Sequence, residues 1–195
     1  QWQRLRRLLG PQGIVPVPIL FGAVLDALGQ RGPAEIPRKR EFTYRHVLWQ
    51  ARQRDVPLRF PPAHPFNPLA ALRLCIAAGN AADAIDAVFA WIWAEGRAGD
   101  SAEALAPLCE RLGVDTAMLS ADAVKATLRD NTRAAIEARV FGVPTLQVGD
   151  TLFWGDDAHD FALAVLRAPS LLEDAEMQRV ASLPVGVTRR REPSA

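Results

Sequence analysis

The chain has 195 residues, 49% hydrophobic and 23% charged, with 23 Lys plus Arg against 22 Asp plus Glu, a formal charge of +1. That length suits one domain, or one domain carrying an insertion, with a core that needs no disulfide staples. The balanced charge argues against a nucleic-acid partner or a polybasic membrane patch, and no apolar run reaches the ~18 residues of a membrane span.

In chain order, Trp2, Leu5, Leu8 and Leu9 follow helical spacing until Gly10-Pro11-Gln12-Gly13 stops them. Ile14 to Leu20 is short and β-branched and reads as a strand. Pro16 and Pro18 confine it to a sheet edge, because neither can donate to a ladder. A short helix over Phe21–Leu28 closes at Gly29, and Gln30 to Pro37 reads as a loop. Arg38 to Arg54 is helical again, with Phe42, Val47, Leu48 and Ala51 on one side. Pro57, Pro61, Pro62, Pro65 and Pro68 keep residues 57–68 extended. The alanine-rich stretch that follows predicts helices at 68–79, 81–95, 101–112 and 120–140, the third opened by a capping box from Asp100 to Glu103. Residues 144–148 and 151–154 read as a hairpin turning at Gly149-Asp150, followed by a helix over 158–168. From Pro169 a loose helix leads to a disordered end at Arg189-Arg190-Arg191.

Three local patterns carry chemistry. Val143-Pro144, between a helix end and a strand, can offer the Val143 N–H and C=O to a peptide-like ligand if the bond is cis; a trans proline that merely ends the helix fits the spacing equally well. Trp154-Gly155-Asp156-Asp157, between a strand and a helix, can grip an amino-acid zwitterion, with helix N–H groups for its carboxylate and an acid for its ammonium. Plain N-capping by Asp156 or Asp157 is the alternative. Ile36-Pro37-Arg38-Lys39-Arg40 places cations at a helix start, where the helix dipole disfavours them; they are ligand-binding or simply solvated. His46, His64 and His159 share no metal-ligand spacing, so no metal site is expected. His64 is singled out by its setting in Pro-Pro-Ala-His-Pro-Phe-Asn. Cys75 and Cys109 are too far apart for a CxxC pair and read as small buried hydrophobes. The expectation is a cytoplasmic protein of a reducing compartment.

Phe21-Gly22-Ala23-Val24-Leu25-Asp26-Ala27-Leu28-Gly29, Ile36-Pro37-Arg38-Lys39, Val56-Pro57-Leu58-Arg59-Phe60, Phe66-Asn67, Phe141-Gly142-Val143-Pro144-Thr145 and Phe153-Trp154-Gly155-Asp156-Asp157 together resemble the 2-hydroxychromene-2-carboxylate isomerases. These are relatives of the kappa-class glutathione transferases, with the DsbA-type thioredoxin fold. The resemblance spans about residues 1–168. It implies an α/β thioredoxin-like domain over 1–50 and 136–170, an all-α helical insertion over 51–135, and a tail over 171–195. It also implies glutathione as cofactor, with Val143 pairing its backbone to the cysteinyl unit and Pro144 cis. Trp154, Gly155, Asp156 and Asp157 would hold the γ-glutamyl end, Lys39 would lie near the glycyl carboxylate, and Gln30 would stand where kappa-class enzymes have Asn. His64, Phe66 and Asn67 are expected at the pocket of a small aromatic substrate, and a homodimer is a common arrangement.

The serine that such enzymes use to hold the glutathione thiolate follows their first, central strand. It is expected upstream of Gln1, since the earliest serine here is Ser101. The implied reaction is cis-trans isomerisation through a transient glutathione adduct, in the degradation of aromatic compounds. A kappa-class-like glutathione transferase, a DsbA-family thiol-disulfide oxidoreductase and a non-catalytic thioredoxin-like scaffold are the competing readings.

Overall fold

Helices form wherever apolar residues recur every three or four positions between breakers. A computed structural model describes residues 1–10 and 13–187, which fall into two compact units, Gln1–Val143 and Pro144–Ala195. Each is described by itself.

In the first unit α1 (Trp2–Leu9) ends at Gly10, whose φ of +69° is open to glycine at little cost. Leu5 points inward. Trp2 Nε1 donates to Asp86 at 2.5 Å, and the Arg6 guanidinium reaches Asp86 at 2.9 Å and Asp83 at 2.8 Å, fastening α1 to the helix that carries both aspartates. There follow α2 (Phe21–Ala27), a 3-10 turn at Pro33–Glu35, α3 (Pro37–Gln53), α4 (Leu69–Ala77) and α5 (Ala82–Phe89). The helix of α5 widens into a π turn over Ala90–Ala94, where Glu95 N donates to Ala90 O at 2.8 Å. After it come α6 (Ala102–Leu112), a 3-10 turn at Thr116–Ser120 and α7 (Asp122–Glu137). Leu74, Leu105, Leu108 and Cys109 are wholly buried at the centre, packed with Ile85, Val88, Trp91, Ile92 and Leu119.

Four expectations are corrected here. Residues 14–20 are extended but form no strand. Pro16 and Pro18 have no N–H, and side chains of α7 hold the segment at two points instead: Leu20 N donates to Thr132 Oγ1 at 3.0 Å, and Asn131 Nδ2 donates to Pro18 O at 3.2 Å. Part of the expected loop between Gln30 and Pro37 winds into a 3-10 turn, because the Glu35 carboxylate accepts from Gly32 N. The cap of α6 is Ser101, which accepts from Ala104 N at 3.1 Å, rather than Asp100. Finally, α3 buries none of its residues, and Phe42 on its expected apolar side is 68% exposed.

In the second unit β1 (Thr145–Val148) pairs antiparallel with β2 (Thr151–Trp154), Thr145 opposite Trp154 and Val148 opposite Thr151. Gly149 turns the hairpin at φ +57°. Phe153 points inward onto Ala162 and Val165 of α8 (His159–Arg167). A 3-10 turn at Pro169–Glu173 and α9 (Ala175–Ala181) follow, the latter capped by Asp174. The expected loose helix is thus a turn and a short helix, while Arg189-Arg190-Arg191 lies outside the described residues. Among the described residues, no helix is long and apolar enough to cross a membrane, and no group of three or more His, Cys, Asp or Glu is placed to hold a metal ion.

Candidate functional site

The expected cis bond at Val143–Pro144 is trans, and the cis X-Pro bond among the described residues is His64–Pro65. Both Val143 and Pro144 are exposed, so no packing opposes the ordinary trans preference of an X-Pro amide. The outward turn of a cis-proline is therefore not the source of any backbone clamp. The Val143 N–H and C=O nevertheless make no hydrogen bond among the described residues, whereas Pro144 O is engaged by Gly155 N at 2.9 Å.

The turn after β2 is shaped by Gly155. Its φ is +95°, a conformation that favours glycine, and the Asp157 carboxylate lies against the place a Cβ would take. The N-cap position of α8 is held by Ala158, one residue after Asp157. Trp154 is 53% exposed at the end of β2, Asp156 is half-buried and Asp157 is exposed. The turn thus presents an acid and an indole face.

In the first unit, Lys39 lies on the first turns of α3. It lines a concavity of about 470 Å³ with Pro33, Arg38, Phe42 and Thr43. Two cations with an aromatic ring suit an anionic ligand that has an apolar part. Gln30 is exposed, its N–H spent on Leu25 O at 2.9 Å.

His64 stands inside an aromatic cluster. Its ring centroid is 5.3 Å from that of Tyr44, 6.0 Å from Phe60, 6.2 Å from Phe66 and 5.4 Å from Trp93. Three elements assemble it: α3 supplies Tyr44, the extended segment supplies Phe60, His64 and Phe66, and the π turn supplies Trp93. Arg59 N donates to Trp93 O at 2.7 Å and fastens the segment to the turn. Gly96 permits this approach, since a Cβ there would come within 2.6 Å of Arg59 Cγ. The Tyr44 hydroxyl lies 2.8 Å from His64 O and 2.6 Å from His64 Nδ1. Burial lowers the His64 pKa from its ordinary value, which favours the neutral ring at pH 7. Asn67 instead caps the chain locally, its Oδ1 accepting from Leu69 N at 3.1 Å.

Cys75 and Cys109 are buried free thiols, as expected. Burial pushes the Cys75 thiol up to about 12 and raises that of Cys109, so neither offers a thiolate at neutral pH. Sequence reasoning missed Tyr44 and Trp93. The signal for both was an aromatic residue on a helix, which alone reads as core. Only the segment from Phe60 to Phe66 folding back onto them reveals the cluster.

Residues 2–167 match the DSBA-like thioredoxin domain, which defines the class of fold. The chain is 34% identical over 167 residues to a 2-hydroxychromene-2-carboxylate isomerase of Pseudomonas putida, covering 80% of this chain and 81% of that protein. It is 32% identical to one of Pseudomonas sp. (strain C18), covering 67% and 65% respectively. A solved structure of selenomethionine-containing 2-hydroxychromene-2-carboxylate isomerase superposes with a TM-score of 0.71 at 28% identity, covering 90% of this chain and 91% of that one. The chain belongs to the 2-hydroxychromene-2-carboxylate isomerase family, within the DsbA-like thioredoxin proteins.

Proposed function

We propose that the chain is a glutathione-dependent isomerase acting on a small conjugated aromatic carboxylate of the 2-hydroxychromene-2-carboxylate kind. The observation that carries this reading is the identity of 34% with an isomerase so named, extending over 81% of its length. The turn after β2 fits the γ-glutamyl end of glutathione. Gly155 brings backbone and the Asp157 carboxylate together there, and Asp157 is exposed. Lys39 is the cation proposed for the glycyl carboxylate. When bound, glutathione supplies a thiol nucleophile whose reversible addition turns a locked C=C into a rotatable bond. The residues of this chain bind and orient. Asp157 neutralises an ammonium, and the ring cluster around His64 supplies an apolar wall for a planar substrate.

The absorbance of 2-hydroxychromene-2-carboxylate, followed in the presence of the protein with and without glutathione, tests this. Conversion that requires both protein and glutathione is expected. No acceleration, or acceleration independent of glutathione, would overturn the reading.

A further inference from the structure

The near-neutral balance of the whole chain averages over a local segregation of charge on α3. Between Pro37 and Gln53 that helix carries Arg38, Lys39, Arg40, Arg45 and Arg52 against one acid, Glu41. An α-helix turns about 100° per residue, which sorts its side chains into rows. Tyr44, Leu48 and Ala51 share the half-buried side, through which the Tyr44 hydroxyl reaches His64 O. Phe42, His46 and Trp49 occupy the opposite pole, within about 60° of arc. Phe42 is 68% exposed and Trp49 57%, and His46 is exposed between them. Arg38, Arg45 and Arg52, each seven residues from the next, form a second exposed row alongside these rings.

Ordinary packing predicts the reverse, since a surface helix turns its large apolar side chains towards the core. The outward rings are also ordered. Phe42 and His46 stack with centroids 5.6 Å apart, and His46 and Trp49 stack at 6.0 Å, with 29° and 17° between their planes. Because the rings cover one another's faces, the row suits entry into an apolar layer better than the stacking of nucleic-acid bases, which needs open faces. The cations are available to a partner. Arg38 and Arg52 make no ion pair among the described residues, and Arg45 meets Glu41 at 2.8 Å in a pair exposed on both sides, which water screens. An exposed helix is a ridge, and a ridge of aromatic rings flanked by arginines complements a soft anionic surface without needing a matching groove.

We infer that the outward face of α3 is a docking surface for an anionic phospholipid bilayer. Phe42 and Trp49 enter the boundary between headgroups and acyl chains, and Arg38, Arg45 and Arg52 lie along the phosphates, their aliphatic stems following the rings. The helix, about 25 Å long, lies in the plane of the surface. The contact is peripheral, and it stands on the first unit alone, independent of the isomerase reading.

The test is sedimentation of the full chain with vesicles of equal parts phosphatidylglycerol and phosphatidylcholine, beside vesicles of phosphatidylcholine alone. Phe42 and Arg38 also border the concavity at Lys39, so the substitutions are placed further along the helix. Binding to the anionic vesicles at low salt is expected, at least tenfold tighter than to the neutral ones and released by high salt. Arg45→Gln combined with Arg52→Gln should weaken it about 25-fold, some fivefold for each cation. Trp49→Ser should weaken it about tenfold. All three positions are exposed, so unfolding midpoints should stay at the wild-type value. Vesicles brominated on their acyl chains supply a readout on the wild type itself. They should quench part of its tryptophan emission, and that part should be missing in Trp49→Phe.

Equal binding to the two kinds of vesicle, no sedimentation with either, full binding by the folded double variant, or quenching that persists in Trp49→Phe would each overturn the inference. Polyglutamate binding that requires Arg45 and Arg52, with no vesicle binding, would overturn it in favour of an acidic protein partner. Dimers dispersed by Trp49→Ser, again with no vesicle binding, would overturn it in favour of a second copy of the chain.

Discussion

At His64 a single phenol decides the state of an imidazole. Tyr44 uses both its proton and its lone pair on one residue, and burial disfavours the imidazolium. The unfolded chain therefore binds a proton at His64 more readily than the native protein does. Stability from this residue is full above the ordinary pKa of 6.5 and falls as pH drops from there towards the lower native value. Urea unfolding midpoints of the wild type should decline across that interval, and in His64→Phe the decline should be shallower. An unchanged slope would mean that His64 titrates normally in the folded protein. Asp157 is a different case, an exposed acid whose carboxylate rests against Gly155.

At the scale of elements, the extended segment 14–20 shows how side chains replace a ladder. It has two prolines and no strand partner among the described residues, and it is held by α7 through Asn131 and Thr132. Thr132 is buried and fully used, accepting from Leu20 N and donating to Leu128 O at 2.7 Å. Thr132→Val keeps the shape and leaves the Leu20 N–H without an acceptor. It should cost about 1–2 kcal/mol in urea unfolding. A loss no larger than that of an exposed Thr127→Val control would show that the segment is held by packing alone. Similarly, the π turn at Ala90–Ala94 matters less for its length than for what it separates: Trp91 and Ile92 face the core, and Trp93 faces His64.

For the molecule as a whole, the candidate residues are divided between two units. Gln30, Lys39, His64, Phe66, Asn67 and Val143 belong to the first, and Pro144 and Trp154 to Asp157 belong to the second. The glutathione reading proposed above assigns the second unit one electrostatic task, at Asp157. Asp157→Ala should weaken glutathione binding more than tenfold, about 1.4 kcal/mol, by calorimetric titration. An unchanged dissociation constant would reduce the turn to a structural feature of the hairpin. Since the described cysteines are buried and hold their protons, Cys75 and Cys109 contribute no thiol chemistry to either unit.

Local physics made much of the fold legible from residue order. Gly10, Gly29, Gly113 and Gly149 take positive φ at the stops and turns where they were expected, and apolar spacing located each long helix within a few residues. The family was legible too, because its short motifs recur in order between those breakers, and the match over residues 2–167 agrees. Other features depend on partners distant in sequence. Whether residues 14–20 become a strand depends on what lies beside them, and the answer is a pair of side chains about 110 positions away. At Val143–Pro144 the chain keeps the ordinary trans isomer, since both residues are exposed and no packing selects the other. The setting of His64 needed Tyr44 from one helix and Trp93 from the irregular end of another, and aromatic residues on helices carry no mark that separates a binding wall from a core. Sequence by itself determined the elements and the family, because these follow from short-range periodicity and backbone freedom. Tertiary structure alone decided which polar groups were paired, because hydrogen bonds between distant residues exist only once the chain has closed on itself.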